Sequence, residues 1–281
     1  MFGHLRFLLP YMMGLSIHIV LAAPTHAAED GNRLTAFFAG QGCAIGPSTR
    51  QAAMAAGFDG AAIDELAQMA RADHGAVETG SWLVLAPSRC TIEVPQITSE
   101  VKPSDPEVTD SLFADDEAGK GMPCFVNGDR LYENLQRTRL WDPERAFHAY
   151  VDFIAAGLRA GEIAFYSDDP LRTPMGFQLT TGECALRPEI EDIRRDHDFF
   201  MTHFDELIRT DALTAECEAD GSPSWKLMRQ IEPTDEAQTK NQWTFMEIKL
   251  ITMAAGWMEG MSARFRGVPR PPLCHYSSKR G

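Results

Sequence analysis

The segment SWLVLAPSRCTI, residues 81–92, decides the fold predicted for this chain. Apolar residues alternate in its first half, and a short run of turn residues then leads to Cys90. The segment GFQLTTGECAL, residues 176–186, has a similar alternation, a similar turn and Cys184 near its end. Alternating apolar residues bounded by turn residues predict a β-hairpin in each segment. The likeness predicts an internal repeat, with chance similarity between short hairpin patterns as the alternative.

The residues upstream of the first hairpin predict two helices. Ser48 and Gln51 have the spacing of a capping box at the start of an alanine-rich helix, and Phe58-Asp59 opens the next helix. Four apolar residues share one face of that second helix: Ile63, Leu66, Ala67 and Ala70. Gly75 is its predicted end.

The residues upstream of the second hairpin have the same order. Residues 129–138 favour a helix, and Trp141-Asp142-Pro143 then supplies an aromatic residue, a helix N-cap and a proline at the first helical position. The apolar stripe of the helix that follows comprises Phe147, Tyr150, Val151, Ile154 and Leu158, and Gly161 ends it. The unit that is predicted twice is therefore helix, helix, hairpin.

The cysteines predict three disulfide bonds. The sequence has no Cys-x-x-Cys pair, which excludes a zinc ribbon, and an even number of cysteines suits an oxidising compartment. Six cysteines allow many connectivities, but the internal likeness selects the one in which each unit is closed by its own bond. The predicted pairs are Cys43 with Cys90, Cys124 with Cys184, and Cys217 with Cys274.

The last part of the chain predicts one long helix over residues 235–265. Gly267 and the prolines that follow it end this helix, and no alternating hairpin precedes Cys274. This part is either a degenerate third unit or an unrelated segment.

Together these elements predict an α+β fold of disulfide-closed helix-helix-hairpin units, at least two in tandem, with a mainly helical C-terminal part. The predicted order along the chain is a signal peptide at 1–27, a first α+β unit at 28–97, a linker at 98–121, and a second α+β unit with the helical segment at 122–281. Pro103, Pro106 and the acidic run Asp115-Asp116-Glu117 are the features that indicate the linker.

Residues 1–27 have the three parts of a secretory signal. Arg6 lies in a short basic start, residues 7–23 are apolar, and Thr25-His26-Ala27 supplies the small side chains that precede a cleavage site. An uncleaved membrane anchor is the alternative, but the apolar run has only 17 residues and contains Pro10 and His18. We therefore expect a periplasmic or secreted protein that is not inserted in a membrane after cleavage.

The charge of the chain limits its partners. The 281 residues contain 26 Lys and Arg against 40 Asp and Glu, which gives a formal net charge of −14. An acidic surface repels phosphate backbones, so we expect no nucleic-acid partner. A basic partner, most simply another protein of the cell envelope, fits this charge.

The sequence carries no motif for a common catalytic or cofactor site. It has no nucleophile elbow, no phosphate-binding loop and no dinucleotide fingerprint. If all six cysteines are paired, no thiol is left to act as a nucleophile. The sequence therefore predicts no catalytic, cofactor-binding or metal-ligating residue, and no cofactor.

Some titratable residues nevertheless fit a functional interpretation beside a structural one. Asp73-His74 fits a general acid-base pair, or a histidine that complements a helix C-terminus. His197 falls on the apolar stripe of a helix over 189–209, which favours a packed, hydrogen-bonded histidine over a metal ligand. The acids that could form the carboxylate pair of a glycoside hydrolase are Glu65, Glu144, Glu162 and Glu183.

The function that this pattern favours is that of an exported accessory or binding protein of the cell envelope, which acts through surface contacts rather than catalysis. A carboxylate-dependent envelope hydrolase and a carrier of a small apolar ligand are the alternatives. The predicted contact surface consists of the two hairpin turns at 86–89 and 180–183, with Arg89 and Glu183 as its contact residues.

The position of the small side chains predicts that the mature chain begins near Ala28, because Thr25 and Ala27 occupy the sites that signal peptidase reads. The intact mass of the exported protein measures this directly. A membrane-bound species that retains residues 1–27 would contradict both the cleavage and the export.

Overall fold

The computed structural model describes residues 25–113, 124–165, 176–212, 215–217 and 244–277. These residues form a mixture of helices and small antiparallel sheets that is held by three disulfide bonds, in agreement with the predicted α+β class. The first element, α1, covers Thr25–Ala39, so the predicted start of the mature chain falls in its first turn. The rest of the predicted signal peptide lies outside the described residues.

The first sheet is assembled from residues that follow α1. Its elements are β1 (Ala44–Ile45), α2 (Pro47–Ala55), α3 (Gly60–Ala70), β2 (Val77–Thr79) and β3 (Trp82–Val84). The strand order is β1-β3-β2, and Val84 lies opposite both Ala44 and Val77.

The hairpin of this sheet is displaced from its predicted position. It turns at Gly80, whose φ of 58° suits a tight reversal, so that Trp82–Val84 is its second strand and not its first. The stretch at 86–89 forms a turn after the sheet, because Pro87 has no backbone N–H with which to continue a ladder.

The chain next enters a short helix and a second sheet. The helix α4 covers Pro106–Thr109, and the elements that follow are β4 (Phe125–Asn127), α5 (Gly128–Arg139), α6 (Pro143–Ala160), β5 (Ile163–Ala164) and β6 (Gly176–Leu179). The strand order is β4-β6-β5, and Gln178 lies opposite both Phe125 and Ala164.

The predicted second hairpin is also displaced. A 3₁₀ helix at Gly182–Leu186 replaces the return strand expected after β6, and Gly182 enters it with a φ of 60°. The partner of β6 in the hairpin is the upstream strand β5.

The helix starts follow local sequence closely. Asp59 and Asp142 are the N-caps of α3 and α6, and their carboxylates accept hydrogen bonds from the N–H groups of Ala61 (3.0 Å) and Arg145 (2.9 Å). The capping box expected from Ser48 and Gln51 is wrong. Since Pro47 presets the helical φ, α2 begins there, and the Thr49 hydroxyl accepts a hydrogen bond from the Gly46 N–H at 2.9 Å.

The remaining elements begin with the helix that was expected over 189–209 and continue with the elements that differ most from expectation. They are α7 (Ile190–Ala212), α8 (Thr244–Ala254), β7 (Met258–Glu259) and β8 (Val268–Pro269). The helix predicted over 235–265 ends at Ala254, because Gly256 adopts a φ of 73°. A β7–β8 hairpin then precedes Cys274, where none was predicted, and residues 235–243 lie outside the described part of the chain.

The described part of the predicted linker is packed against the fold. Val101 and Val108 are buried, and Leu112 forms a bridge with Val126. They adjoin a continuous apolar core to which most helices contribute, with Leu34, Ile45, Ile63, Leu131, Ile154, Phe204, Ile251 and Trp257 among its members. The acidic run at 115–117 lies outside the described residues.

The three disulfide bonds join the predicted pairs, Cys43–Cys90, Cys124–Cys184 and Cys217–Cys274. Cys43 and Cys124 directly precede the first strand of their sheets, and their partners follow the last strand. Each of these two bonds therefore closes a segment that contains one complete sheet and its two helices. The third bond lies beside a parallel bridge between Glu216 and His275.

The C-terminal segment packs on the first sheet through a buried arginine. The side chain of Arg270 is 1% exposed, and its guanidinium carbon lies 5.3 Å from the ring centroid of Trp82 and 5.5 Å from that of Trp257. Its terminal nitrogens donate hydrogen bonds to the backbone oxygen of Gln41 (3.2 Å) and to its Oε1 (3.1 Å). Gly46 allows the indole of Trp82 to lie there, since a Cβ at that position would be 2.2 Å from the ring.

Burial lowers the pKa of Arg270 to about 10, so the guanidinium remains charged at neutral pH. We expect Arg270→Met to lower the free energy of unfolding by about 3 kcal/mol, because the Gln41 oxygens lose charged donors and both indoles lose a cation-π contact. Arg264→Met, at an exposed position in the β7–β8 connection, is the control, with a change of at most about 0.5 kcal/mol. Urea denaturation measures both, and equal effects would contradict the role given to Arg270.

Candidate functional site

The predicted contact residue Arg89 is engaged inside the fold. Its Nε and a terminal nitrogen donate hydrogen bonds to the two carboxylate oxygens of Asp73, the second at 3.0 Å. This guanidinium holds the pKa of the Asp73 carboxyl below its usual range, mainly by hydrogen bonding. Both carboxylate oxygens of Asp73 are therefore engaged in a structural ion pair with Arg89.

Arg209 of α7 also holds the two ends of the loop that carries Arg89. The guanidinium of Arg209 donates hydrogen bonds to the backbone oxygens of Leu85 (3.0 Å) and Cys90 (2.7 Å). Asp205, which pairs with Arg209, accepts a hydrogen bond from the N–H of Ile92 at 2.5 Å. The loop at 86–89 therefore has fixed ends, a condition that lets a loop present a surface without a large ordering cost.

The second predicted contact residue, Glu183, is exposed in the 3₁₀ helix after β6. The adjacent Cys184 is fixed by its disulfide bond to Cys124. Leu186, two residues further on, is 87% exposed. The turn thus presents an acid and a large apolar side chain from a covalently held frame.

The histidines of α7 are bound to backbone oxygens. His197 Nε2 lies 3.1 Å from the oxygen of Arg159, and since a carbonyl only accepts, this nitrogen carries the proton. The imidazole ring packs over Gly161, in agreement with the packed histidine that the stripe predicts. His203 Nδ1 lies 2.9 Å from the oxygen of Phe199 in the same helix. Both rings therefore have structural partners.

The four glutamates considered as catalytic acids lie on different elements. Glu65 is exposed on α3, Glu162 is exposed before β5, and Glu183 is exposed in the 3₁₀ helix. Glu144, in the first turn of α6, contacts His148 at 3.1 Å and accepts a hydrogen bond from the N–H of Ala263 at 3.0 Å. In the described parts of the chain, no three His, Cys, Asp or Glu residues converge on a common point where a metal ion could bind.

An ion-pair cluster that local sequence did not reveal holds α4 against α5. Arg139, at the end of α5, donates to Glu107 Oε1 at 2.9 Å and to Asp105 Oδ2 at 2.8 Å. Glu107 is only 4% exposed, and the guanidinium keeps its pKa below the ordinary value. A separation of 32 residues between Arg139 and Glu107 leaves no local signal for such a pair.

The connection between α5 and α6 has an unusual backbone. Leu140 adopts a φ of 54° and a ψ of 35° in the left-handed region, which costs a residue with a Cβ about 1–2 kcal/mol, and its side chain is 88% exposed. Trp141 follows it, with the guanidinium carbon of Arg145 at 4.5 Å from the ring centroid and that of Arg139 at 5.4 Å. We call Arg139, Leu140, Trp141 and Arg145 the α5–α6 corner.

The connection between α2 and α3 has a corresponding order of residues. Gly57 takes the left-handed position with a φ of 93°, Phe58 takes the aromatic position, and Asp59 is the N-cap. The guanidinium carbon of Arg33 lies 5.9 Å from the centroid of Phe58. The glycine is the ordinary choice for this backbone, whereas the leucine is not.

A polar depression lies beside α5. It has a volume of about 400 Å³ and is lined by Asp110, Arg130, Glu133, Asn134 and Arg137. A charged lining of this kind does not favour a small apolar ligand.

No known protein family, curated protein or solved structure matches this chain. Within the described residues, none of the helices combines the length and the apolar character needed to cross a bilayer.

The cluster around Glu107 predicts a pH-dependent effect of Glu107→Gln. Because the pKa of this acid is lowered in the folded state, its contribution is complete above the unfolded pKa of about 4.3 and is lost as the pH falls through the folded value. We expect the variant to be less stable by about 1–3 kcal/mol at pH 7, with a difference from wild type that shrinks below pH about 4. Denaturant unfolding from pH 7 down to pH 3 measures it.

Glu65→Gln is the matched control, since Glu65 is exposed on α3. We expect it to match wild type within about 0.5 kcal/mol at each pH. A Glu107→Gln difference that stays constant through the acid range would contradict the ion pair as its cause.

Proposed function

We propose that this chain is an exported, non-enzymatic binding protein of the cell envelope, which recognises a basic partner protein through exposed turns on two similar disulfide-closed units. The observation that carries the proposal is the turn at 182–186. Glu183 and the 87% exposed Leu186 stand on either side of Cys184, whose bond to Cys124 fixes their frame. An apolar side chain beside a charge on a rigid turn is suited to protein contact.

The proposal of two similar units has three supports. The sheets have the corresponding orders β1-β3-β2 and β4-β6-β5. Each sheet is preceded by a cysteine that pairs with a cysteine beyond its last strand. Each pair of helices is joined by a left-handed residue, an aromatic residue and an aspartate N-cap. Duplicated frames of this kind carry turns at corresponding places.

The export part of the proposal rests on sequence and chemistry. Residues 1–27 have the pattern of a secretory signal, and three disulfide bonds are expected in an oxidising compartment. Removal of residues 1–27 takes away Arg6 and no acid, which changes the formal charge from −14 to −15. This charge favours a basic partner and an association that weakens as salt rises.

One observation favours a second candidate, the carboxylate-dependent envelope hydrolase. Asp152 on α6 is partly buried, and its pKa is raised chiefly by that burial and further by the charge of Glu100, although His148 opposes the shift. A carboxyl with a raised pKa is suited to be the general acid of such an enzyme. Turnover of an envelope polymer by the purified protein, abolished by Asp152→Asn without unfolding, would favour this candidate over the binding protein.

The binding proposal predicts that Glu183→Lys combined with Leu186→Ala weakens partner capture at least tenfold. Both side chains are exposed, so the unfolding temperature should stay within about 2 °C of wild type. In the cell that produces the protein, a photo-reactive amino acid is first placed at position 183. The protein that it crosslinks is then identified by mass spectrometry. The affinity of the purified partner is then measured for each variant.

Two controls separate contact from charge and from folding. Glu65→Lys makes the same charge change on the exposed face of α3 and should leave the affinity unchanged. Asp73→Asn breaks the ion pair between Asp73 and Arg89 but keeps Arg89. It therefore measures how much this ion pair contributes to the stability of the loop at 86–89. Equal weakening by Glu65→Lys and by the double variant would contradict the proposed surface.

A further inference from the structure

We infer that the α5–α6 corner is a second docking point, at which Leu140 enters an apolar cleft of a partner protein whose rim is basic. This inference rests on the proposed binding function and names a surface that the sequence did not indicate. Four independent features of the corner support it: its backbone, its exposure, its anchoring and its charge.

The left-handed backbone of Leu140 indicates that this leucine is not retained for stability. A left-handed residue suits glycine, and the corresponding connection between α2 and α3 has Gly57 in that place. A leucine at a φ of 54° is strained by its Cβ. Strained residues of this kind cluster at functional positions because another requirement offsets their cost.

The exposure of Leu140 indicates that the requirement that offsets its backbone strain lies outside the fold. At 88% exposed, the Leu140 side chain gives almost none of its surface to the core. The next residue, Trp141, is half-buried and packs against the core, so the corner is not a disordered end of a helix. A fully exposed leucine beside a fixed aromatic ring has the form of an anchor for a partner pocket.

The contacts that hold the corner indicate that it already has its binding conformation. Arg139 and Arg145 flank the Trp141 ring at 5.4 and 4.5 Å. Arg139 is held by Glu107 and Asp105, and Arg145 contacts Glu100 at 3.3 Å. The Asp142 carboxylate caps α6 directly after the ring. A surface fixed in this way loses little conformational entropy when it binds.

The charge identifies the kind of partner. The two guanidinium groups of the corner contact three carboxylates, those of Glu100, Asp105 and Glu107, so one negative charge is left over. The ion pairs of the corner therefore have a negative excess, as the whole chain does, and a partner with basic side chains around its cleft complements it. A second copy of this chain is disfavoured as the occupant, because its net charge is −14.

The first experiment places p-benzoylphenylalanine at position 140, at position 183 and, as a control, at position 54 of the full chain in the producing cell. Met54 lies on α2 and is 50% exposed, against 88% for Leu140. We expect position 140 to form an adduct with one basic protein and position 54 to form none with it. An adduct with a second copy of this chain, or with an acidic protein, would overturn the inference.

The second experiment measures the affinity of that purified protein for Leu140→Gly, Leu140→Asn and Met54→Ala. Glycine and asparagine both tolerate the left-handed backbone, so neither variant should lower the unfolding temperature. We expect both to raise the dissociation constant at least tenfold, Met54→Ala to leave it unchanged, and a rise in salt to weaken the wild-type complex.

The outcomes separate this inference from the function on which it rests. If position 183 forms an adduct and position 140 does not, the corner is not a docking point, while the binding function stands. If neither position forms an adduct with another protein, both proposals fail. If Leu140→Gly and Leu140→Asn bind as tightly as wild type, the corner proposal is overturned whatever position 140 captures.

Discussion

The stacking of Arg270 between Trp82 and Trp257 is the interaction on which the rest of the structure depends. It joins three parts of the chain that are far apart in sequence: the turn after α1, the central strand β3 and the segment after α8. Because the buried guanidinium has no carboxylate within hydrogen-bond distance among its described contacts, the Gln41 oxygens, the backbone oxygen of Pro271 (2.8 Å) and the two indoles must satisfy it. This requirement fixes how the C-terminal hairpin sits on the first sheet.

The polar groups of the chain divide into those that serve the fold and those that face outward. Asp73, Glu107 and His197 have partners that fasten a loop, a helix and a helix end. Leu140 and Leu186 lie almost wholly in solvent, and neither contributes much to the core. Exposed side chains that add little to stability but lie on rigid turns are suited to recognition of a partner. This division is why the binding proposal rests on exposed turns and not on the titratable clusters.

Local features of the fold could be predicted because local residues cause them. Asp142 was expected as an N-cap, Phe58-Asp59 was expected to open α3, and the buried stripe of α3 followed from the helical period. The disulfide pairs followed from the likeness between two segments. The boundaries of the hairpins and of the C-terminal helix were predicted less accurately. Gly80, Gly182 and Gly256 each place a turn by adopting a positive φ, and nothing in the nearby sequence says which glycine will do so.

The sequence by itself determined the α+β class, the main helices and the three covalent links, since each depends on side-chain periodicity, capping or spacing along the chain. Only the tertiary structure decided which strand lies between the others, that Arg139 reaches Glu107, and that Arg89 is held by Asp73. It also decided that Leu140 stands in solvent on a left-handed backbone. These contacts and exposures depend on the path of the whole chain, because a side chain is buried or left free by residues many positions away.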